Sequence, residues 1–387
     1  MPSFLTFLAL SALVAWLIIF LLPWQPWRNR YVLEKLVEMK NESSDLQDVT
    51  VVIPARNEAV TICNTLAALA VQGAGLQVIL VDDCCSDGTA EIARQIPGLS
   101  LTIVKGEPPP AGWAGKLWAL DQGVRQVKTP YTLLLDADIH LDPGVIQALK
   151  YLAVIHARPF VSVMARLPMG SFWEKLLTPA FIYFFKMLYP FSLANSAWRM
   201  FASAAGGCIF LETRLFEAIH GLESIRNALI DDCALAKQVK QAGFRTWTGQ
   251  SLCVVCIRPY AGLGELWNMV ARSAFTQLNY SLVILLLCSF ILLLLFITPP
   301  LVMLVPNPST RYLGLAAWTV MSLTYLPTLI FYRRNPFWVL ALPMVGALYL
   351  GMTWSSALRY WQGERSRWKD RTYLRPDSRH KSRSIAQ

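Results

Sequence analysis

A secretory signal is missing from this 387-residue chain: no basic stretch precedes its first apolar run and no small-x-small site follows it, which favours a retained helical anchor. A disulfide framework is missing too. The eight cysteines (Cys63, Cys84, Cys85, Cys208, Cys233, Cys253, Cys256 and Cys288) have no framework spacing, and most sit inside apolar runs as reduced cytosolic thiols do. Histidine is scarce, with four scattered residues, so the lone Cys253-Val254-Val255-Cys256 finds neither a second cysteine pair nor imidazoles to complete a zinc site. No Gly-x-x-x-x-Gly-Lys-Ser/Thr stretch occurs, which excludes a P-loop.

Apolar residues are abundant instead. They make up 55% of the chain, too many for an ordinary soluble protein, and they are clustered. Phe4 to Leu22 form a first span, closed by Pro23-Trp24-Gln25-Pro26-Trp27-Arg28-Asn29-Arg30, interfacial tryptophans followed by positive charge. Three more runs, about Leu278 to Phe296, Tyr312 to Phe331 and Phe337 to Leu358, are each long enough to cross roughly 30 Å of hydrocarbon. Arg28, Arg30 and Lys35 put the domain between the first and second spans in the cytoplasm. Three later spans then carry the tail to the far side, against the positive-inside rule, unless Pro299-Pro300 or Pro343 marks a re-entrant segment. The net charge of +10 is concentrated in that tail: Arg359 to Gln387 hold nine Lys or Arg against three acids. With Tyr360, Trp361, Trp368 and Tyr373 interleaved, the segment suits an anionic lipid surface, and no nucleic-acid partner is expected beside several spans.

Between the spans the pattern alternates. Tyr31 to Asp48 is polar with helical spacing and serves as a connector. Val49 to Pro54 reads as a β-branched strand that runs into Ala55-Arg56-Asn57-Glu58 and a helix from about Val60 to Gln72. Leu76 to Val81 is a second strand, ending in Asp82-Asp83-Cys84-Cys85-Ser86-Asp87-Gly88-Thr89, and Leu101 to Val104 is a third. Tyr131 to Leu135 then ends in Asp136-Ala137-Asp138. Such alternation means a doubly wound, mostly parallel sheet, whose ligand sits outside the carboxyl ends of the strands. Asp82, Asp83, Asp136 and Asp138 all fall at such ends, so one pocket could hold them. Asp136 and Asp138 suit a hard divalent cation, Mg or Mn, that also holds a diphosphate; the alternative is a solvated acidic loop.

Other stretches bear on the same chemistry. Gly112-Trp113-Ala114-Gly115-Lys116 leads into a helix from Leu117, where backbone N–H groups and one cation could meet phosphate oxygens. Ala204 to Leu211 reads as a Gly-Gly-containing strand. Asp231-Asp232 opens an amphipathic helix, where one acid is explained as a cap and the second is spare. Phe172 to Leu193 is apolar and aromatic but interrupted by Pro179, Lys186 and Pro190. It reads as an interfacial helix that lays Phe181, Phe184, Phe185 and Tyr189 into the headgroup layer, or as a buried core helix.

Four of these pieces, Val52 to Glu58, Val81 to Thr89, Leu134 to Asp138 and Asp231-Asp232-x-x-Leu235, occur in the order and spacing of the family 2 glycosyltransferases of the GT-A fold, which residues 49 to 280 resemble. More narrowly, Gly112 to Ala119, Asp231 to Ala236, Arg272 to Leu278 and the membrane layout resemble the bacterial hopene-associated glycosyltransferases, relatives of ceramide glucosyltransferase. The resemblance implies an anchor over 1–24, a connector over 25–48, a GT-A domain over 49–277 with an interfacial segment at 172–193, a membrane region over 278–358 and a basic tail over 359–387. It implies a nucleotide-sugar donor met by Asp82 or Asp83 with Asn57 and Glu58 nearby. Asp136 and Asp138 would face the diphosphate with the metal mainly on Asp138, and Lys116 would help neutralise it. Asp232, beside Asp231, would be the general base, and Arg272 with Phe184 and Phe185 would stand on the acceptor side.

Two departures are informative. Cys84-Cys85 replaces the usual Gly-Ser of the nucleotide loop. Met269 and Ser273 stand where a Gln-x-x-Arg-Trp signature around Arg272 would have Gln and Trp, which argues against a polysaccharide synthase. The implied reaction is inverting transfer of one sugar, from a UDP-sugar in the first instance, to a membrane lipid hydroxyl at the cytoplasmic membrane. The alternatives are polyprenyl-phosphate glycosylation and a non-catalytic nucleotide-sugar-binding scaffold.

Overall fold

The computed structural model describes residues 4–35, 45–368 and 371–374, with the side chains of 366–374 excepted. Two compact units emerge, one from 30–168 and 189–259, the other from 1–29, 169–188 and 260–387.

The first unit is built on an eight-stranded sheet: β1 (Val49–Ala55), β2 (Gln77–Asp82), β3 (Ser100–Lys105), β4 (Tyr131–Leu135), β5 (Ile139–Leu141), β6 (Phe160–Arg166), β7 (Cys208–Glu212) and β8 (Thr246–Cys256). Their spatial order is β3-β2-β1-β4-β7-β6-β8-β5. β3, β2, β1 and β4 run parallel, which requires crossovers; the helices Ile62–Ala70, Thr89–Arg94 and Gly115–Val124 lie in those connections. Successive residues of a strand face opposite sides. Val51, Ile53, Leu133 and Leu135 accordingly join one apolar cluster, whereas Val52, Leu134 and Val81 join another. Covered on both faces, these strands are continuous apolar runs, as parallel strands must be. β7 is inserted antiparallel between β4 and β6. The sheet is therefore mixed and mostly parallel, as the resemblance to the GT-A fold implies, with the alternation of elements accounting for its parallel part alone.

Parallel pairing puts the carboxyl ends of β1, β2 and β4 on one edge, with Ala55 in register with Asp82. The β4–β7 register pairs Leu135 with Cys208. Gly206-Gly207 is thereby brought against Asp136, whose N–H donates to the Gly207 carbonyl at 3.1 Å; the strand itself starts at Cys208, later than the sequence pattern suggests. The connector also differs from its helical expectation. Its described ends run extended, Val32 bridging to Gln250 and Asp45 to Ala74, because backbone pairing with this unit satisfies their N–H and C=O groups; residues 36–44 lie outside the described residues.

The second unit is helical. Phe4–Leu21, Leu282–Val302, Pro308–Phe331 and Pro336–Trp361 are long and apolar enough to cross a membrane, matching the four runs read from the sequence. Pro299-Pro300 lies within the continuous Leu282–Val302 helix, just after its π-helical turn Leu293–Ile297, and Pro343 lies in the first turn of Leu342–Trp361. Trp16 is fully buried, and its indole N–H donates to the Leu295 carbonyl at 2.9 Å, inside the π-helical turn Leu293–Ile297. Gly314 permits close approach, because a Cβ there would lie 2.8 Å from the Pro299 carbonyl oxygen and 2.4 Å from Val302 Cγ2. Gly314→Ala is expected to destabilise this unit by about 1–3 kcal/mol through overpacking, read as a lowered unfolding midpoint in detergent.

The stretch read as interfacial is one helix, Phe172–Leu188, continuous through Pro179. Leu176, Leu177, Ala180, Ile182 and Tyr183 are buried, and the Tyr183 hydroxyl meets that of Thr324 at 2.8 Å. Phe184 packs edge-on against Tyr349 and Phe296. Lys186 is buried as well and donates to Asn29 and Thr328. The core-helix reading describes these residues better than a helix laid into headgroups, since their aromatic edges and polar tips are satisfied within the unit. In the basic tail, Glu364–Trp368 and Arg371–Leu374 pair as antiparallel strands.

Candidate active site

The loops at the sheet's carboxyl edge are tied by side chains. Asn57 adopts a positive φ of 52°, a conformation asparagine tolerates better than most residues. Its amide oxygen accepts from the Ser86 N–H at 3.0 Å, and Asp82 Oδ1 accepts from the Cys85 N–H at 2.8 Å. The Asp87 carboxylate accepts from Ala59 N–H and from the Thr89 N–H and hydroxyl. Burial pushes that carboxyl upward, but these hydrogen bonds outweigh it and hold it below the usual range. Asp83 is fully buried and faces Arg56, which also donates to the Asp83 carbonyl at 2.8 Å. Of the two acids expected near the nucleotide, only Asp82 keeps an accessible carboxylate, while Asp83 anchors the loop. Cys85 stands where Gly-Ser was expected. Burial, with Asp82 beside it, pushes its thiol up to about 11, and the neutral thiol lies 3.3 Å from the Ala55 carbonyl, closing the loop.

At the end of β4, Lys116 Nζ lies 2.7 Å from Asp136 Oδ1. The helix Gly115–Val124 carries Lys116 in its first turn and the helix Asp231–Gln241 carries Asp231 and Asp232 in its own. With Gly206 and Leu235 these four side chains line one concavity. Burial alone would lower the Lys116 ammonium, but Asp136, Asp231 and Asp232 outweigh it and hold it above the usual lysine range. Asp232 moves the other way: burial first, then the Asp231 charge, push it up to about 6 against the opposing pull of Cys233 N–H and Lys116. Gly206 lines the same concavity, its Cβ direction pointing at Asp232 Oδ2 and Lys116 Nζ at ordinary contact distances. A carboxylate so raised, beside a fixed cation, can accept a proton near neutral pH.

One charged residue at this edge was not singled out from the sequence. The antiparallel pairing of β5 with β8 sets Ile139 opposite Cys256, and the Ile257 N–H donates to the Asp138 carbonyl at 2.9 Å. Arg258 follows, its Nε 3.0 Å from Asp138 Oδ2 and its Nη2 bonded to Glu58 Oε2. Nothing local in Cys256-Ile257-Arg258-Pro259 signals this, because the partners are 120 and 200 residues away.

Asp136 and Asp138 offer hard oxygen donors. Among the described residues no group of three or more His, Cys, Asp or Glu forms a cage, and a Mg²⁺-like ion held by one or two carboxylates plus substrate phosphates needs none. The donor chemistry therefore fits such an ion, Mg or Mn, with Lys116 and Arg258 already against the same two carboxylates. Arg272 is exposed on the helix Leu263–Gln277, and Phe184 and Phe185 are half-buried on Phe172–Leu188; all three belong to the helical unit.

Residues 50–217 match the model of glycosyl transferase family 2. Residues 50–217 thus form a domain similar to those of glycosyl transferase family 2. Asp231 and Asp232 lie beyond the matched residues. A 4,4'-diaponeurosporenoate glycosyltransferase of Staphylococcus haemolyticus is 32% identical over 116 residues, 30% of this chain and 30% of the relative's length. Its counterpart in Staphylococcus aureus strain USA300 is 33% identical over 24% of each chain. The chain thus aligns with less than a third of these relatives' length. In fold, the chain resembles a mannosyltransferase from Pyrobaculum calidifontis solved with GDP-Man and Mn²⁺, at a TM-score of 0.56 and 19% identity over 95% of this chain and all of that one. The fold is thus GT-A-like, as the four sequence motifs imply.

Proposed function

We propose that this chain is a membrane-bound inverting glycosyltransferase that moves one sugar from a nucleotide-sugar to a hydroxyl of a membrane lipid, in hopanoid or glycolipid synthesis. The observation that carries the reading is the raised Asp232 carboxyl beside the Lys116–Asp136 pair, at the strand edge that also carries Asp138. In this reading Asp232 takes the acceptor hydroxyl proton as that oxygen bonds to the anomeric carbon. The bond from that carbon to the donor diphosphate breaks on the opposite side, and the nucleoside diphosphate leaves with the electron pair. Lys116 supplies fixed positive charge to the leaving oxygens, and Asp82 with the Asn57-held loop receives the nucleoside. A divalent cation on Asp138 and Asp136 would supply further charge neutralisation when bound. The donor base is taken as uracil; guanine is the rival, because the structural neighbour binds GDP-Man. The apolar helices support a lipid acceptor and a membrane location, and Arg28, Arg30 and Lys35 after the first of them favour a cytoplasmic sheet unit.

A second reading has a specific support. Both Staphylococcus relatives are named for a carotenoid carboxylate, and a carboxylate acceptor would need no base. Mass spectrometry of membrane lipids with and without the chain decides among the acceptors. A hexose-sized gain on a neutral alcohol is the expected result. A gain on a lipid acid favours the second reading, and one on a polyprenyl phosphate overturns both. No gain, together with no nucleoside diphosphate release on adding UDP- or GDP-sugar to membrane extract, leaves a non-catalytic scaffold.

A further inference from the structure

Arg258 occupies one carboxylate oxygen of Asp138, the acid read as the principal metal holder. Its Nε is 3.0 Å from Asp138 Oδ2 and its Nη2 is on Glu58 Oε2, so one guanidinium joins the end of β4 to the loop after β1. Glu58 itself is nearly buried and also accepts from the Thr61 hydroxyl at 3.0 Å, which makes it a fixed anchor. Guanidinium does not deprotonate in proteins, so its charge persists at every working pH. A divalent ion on that same oxygen would sit close to the guanidinium, and like charges that close repel wherever water is partly excluded. Lys116 and Arg258 also differ. Lys116 is held among three carboxylates, whereas the Arg258 side chain keeps 36% exposure.

We propose that Arg258 is a built-in competitor for the cation seat: it pairs with Asp138 and Glu58, and a divalent ion taking Asp138 Oδ2 displaces it from that oxygen. This rests on the reading of Asp138 as the principal metal acid. Its consequence is that metal affinity is set low without donor, and that the ion enters most readily when a diphosphate offers Arg258 a replacement anion. The exchange makes Arg258 a positioning residue for the metal–diphosphate complex.

The test uses the full-length protein in detergent, with Mn²⁺ binding in the absence of nucleotide followed by loss of the free-ion electron paramagnetic resonance signal. Arg258→Gln is expected to tighten Mn²⁺ binding at least fivefold, and Arg258→Lys, which keeps a charge but loses the two-armed geometry, to give a smaller gain. If Arg258→Gln unfolds, Arg258→Lys alone decides by the same sign. Unchanged or weakened Mn²⁺ affinity in the folded variants overturns the proposal, as does undetectable binding in wild type and variants alike. Asp138→Asn separates the two layers. If it loses Mn²⁺ while the Arg258 variants match wild type, only the competition is wrong. If Asp138→Asn binds Mn²⁺ as well as wild type, the metal assignment beneath it has failed.

Discussion

Asp232→Asn is expected to lower the rate of sugar transfer by about 10²–10⁴-fold, the usual worth of a positioned general base, while nucleotide affinity stays within a factor of about two. The change removes a proton acceptor but keeps shape and hydrogen-bonding capacity, and the Cys233 N–H that donates to Asp232 Oδ1 at 2.7 Å can donate to an amide oxygen instead. Burial and Asp231 raise Asp232 to about 6, so wild-type kcat/KM should fall with decreasing pH through that region as the base becomes protonated. The acid limb should be absent from the residual activity of Asp232→Asn. Initial rates across pH 5–8 with equilibrium titration of UDP check both statements, and full turnover by the variant would remove Asp232 from the mechanism. A lipid acid as acceptor gives a third pattern, a small rate loss without change in the acid limb.

Lys116→Met should have the next largest effect, and on more than one observable. The ammonium faces Asp136 at 2.7 Å and feels Asp231 and Asp232, so removing it leaves three carboxylates to repel one another. Because the pair is partly exposed, a stability loss of about 1–3 kcal/mol is expected rather than the full cost of a stranded buried charge. Transfer should fall by about 10²–10³-fold, since fixed charge aimed at the leaving oxygens acts most strongly in the transition state. The pH profile provides the distinguishing sign. Lys116 lowers the Asp232 value, so without it the acid limb moves to higher pH and less base is available near neutrality. Lys116→Arg should keep the limb near its wild-type position. A merely structural lysine would change the unfolding midpoint in Lys116→Met without moving the limb.

The parts of the site legible in the sequence are those whose chemistry is local. Asp136-Ala137-Asp138 follows a run of buried-strand residues, and Asp231-Asp232 opens a helix, so periodicity alone places both at element ends. The helix starting near Lys116 and the loop Asp82 to Thr89 were legible for the same reason. Roles within pairs were not legible. Asp82 and Asp83 are adjacent and chemically equal in sequence, yet Arg56 draws Asp83 into the interior and leaves Asp82 accessible. Phe172 to Leu193 reads as interfacial or as core because proline, lysine and aromatic content mark both a headgroup helix and a packed one; Asn29, Thr324 and Thr328 satisfy polar groups of its Phe172–Leu188 helix inside the helical unit.

The sequence by itself determined the sheet, the four long apolar helices and the glycosyltransferase motifs, because alternation, hydropathy and turn chemistry act over a few residues. Only the tertiary structure decided which charges meet. The β4–β7 register brings Gly206 to Asp232 and Lys116, and the β5–β8 pairing delivers Arg258 to Asp138. Such meetings depend on strand order and register between distant segments, and a one-residue slip would turn every side chain of a strand to its other face.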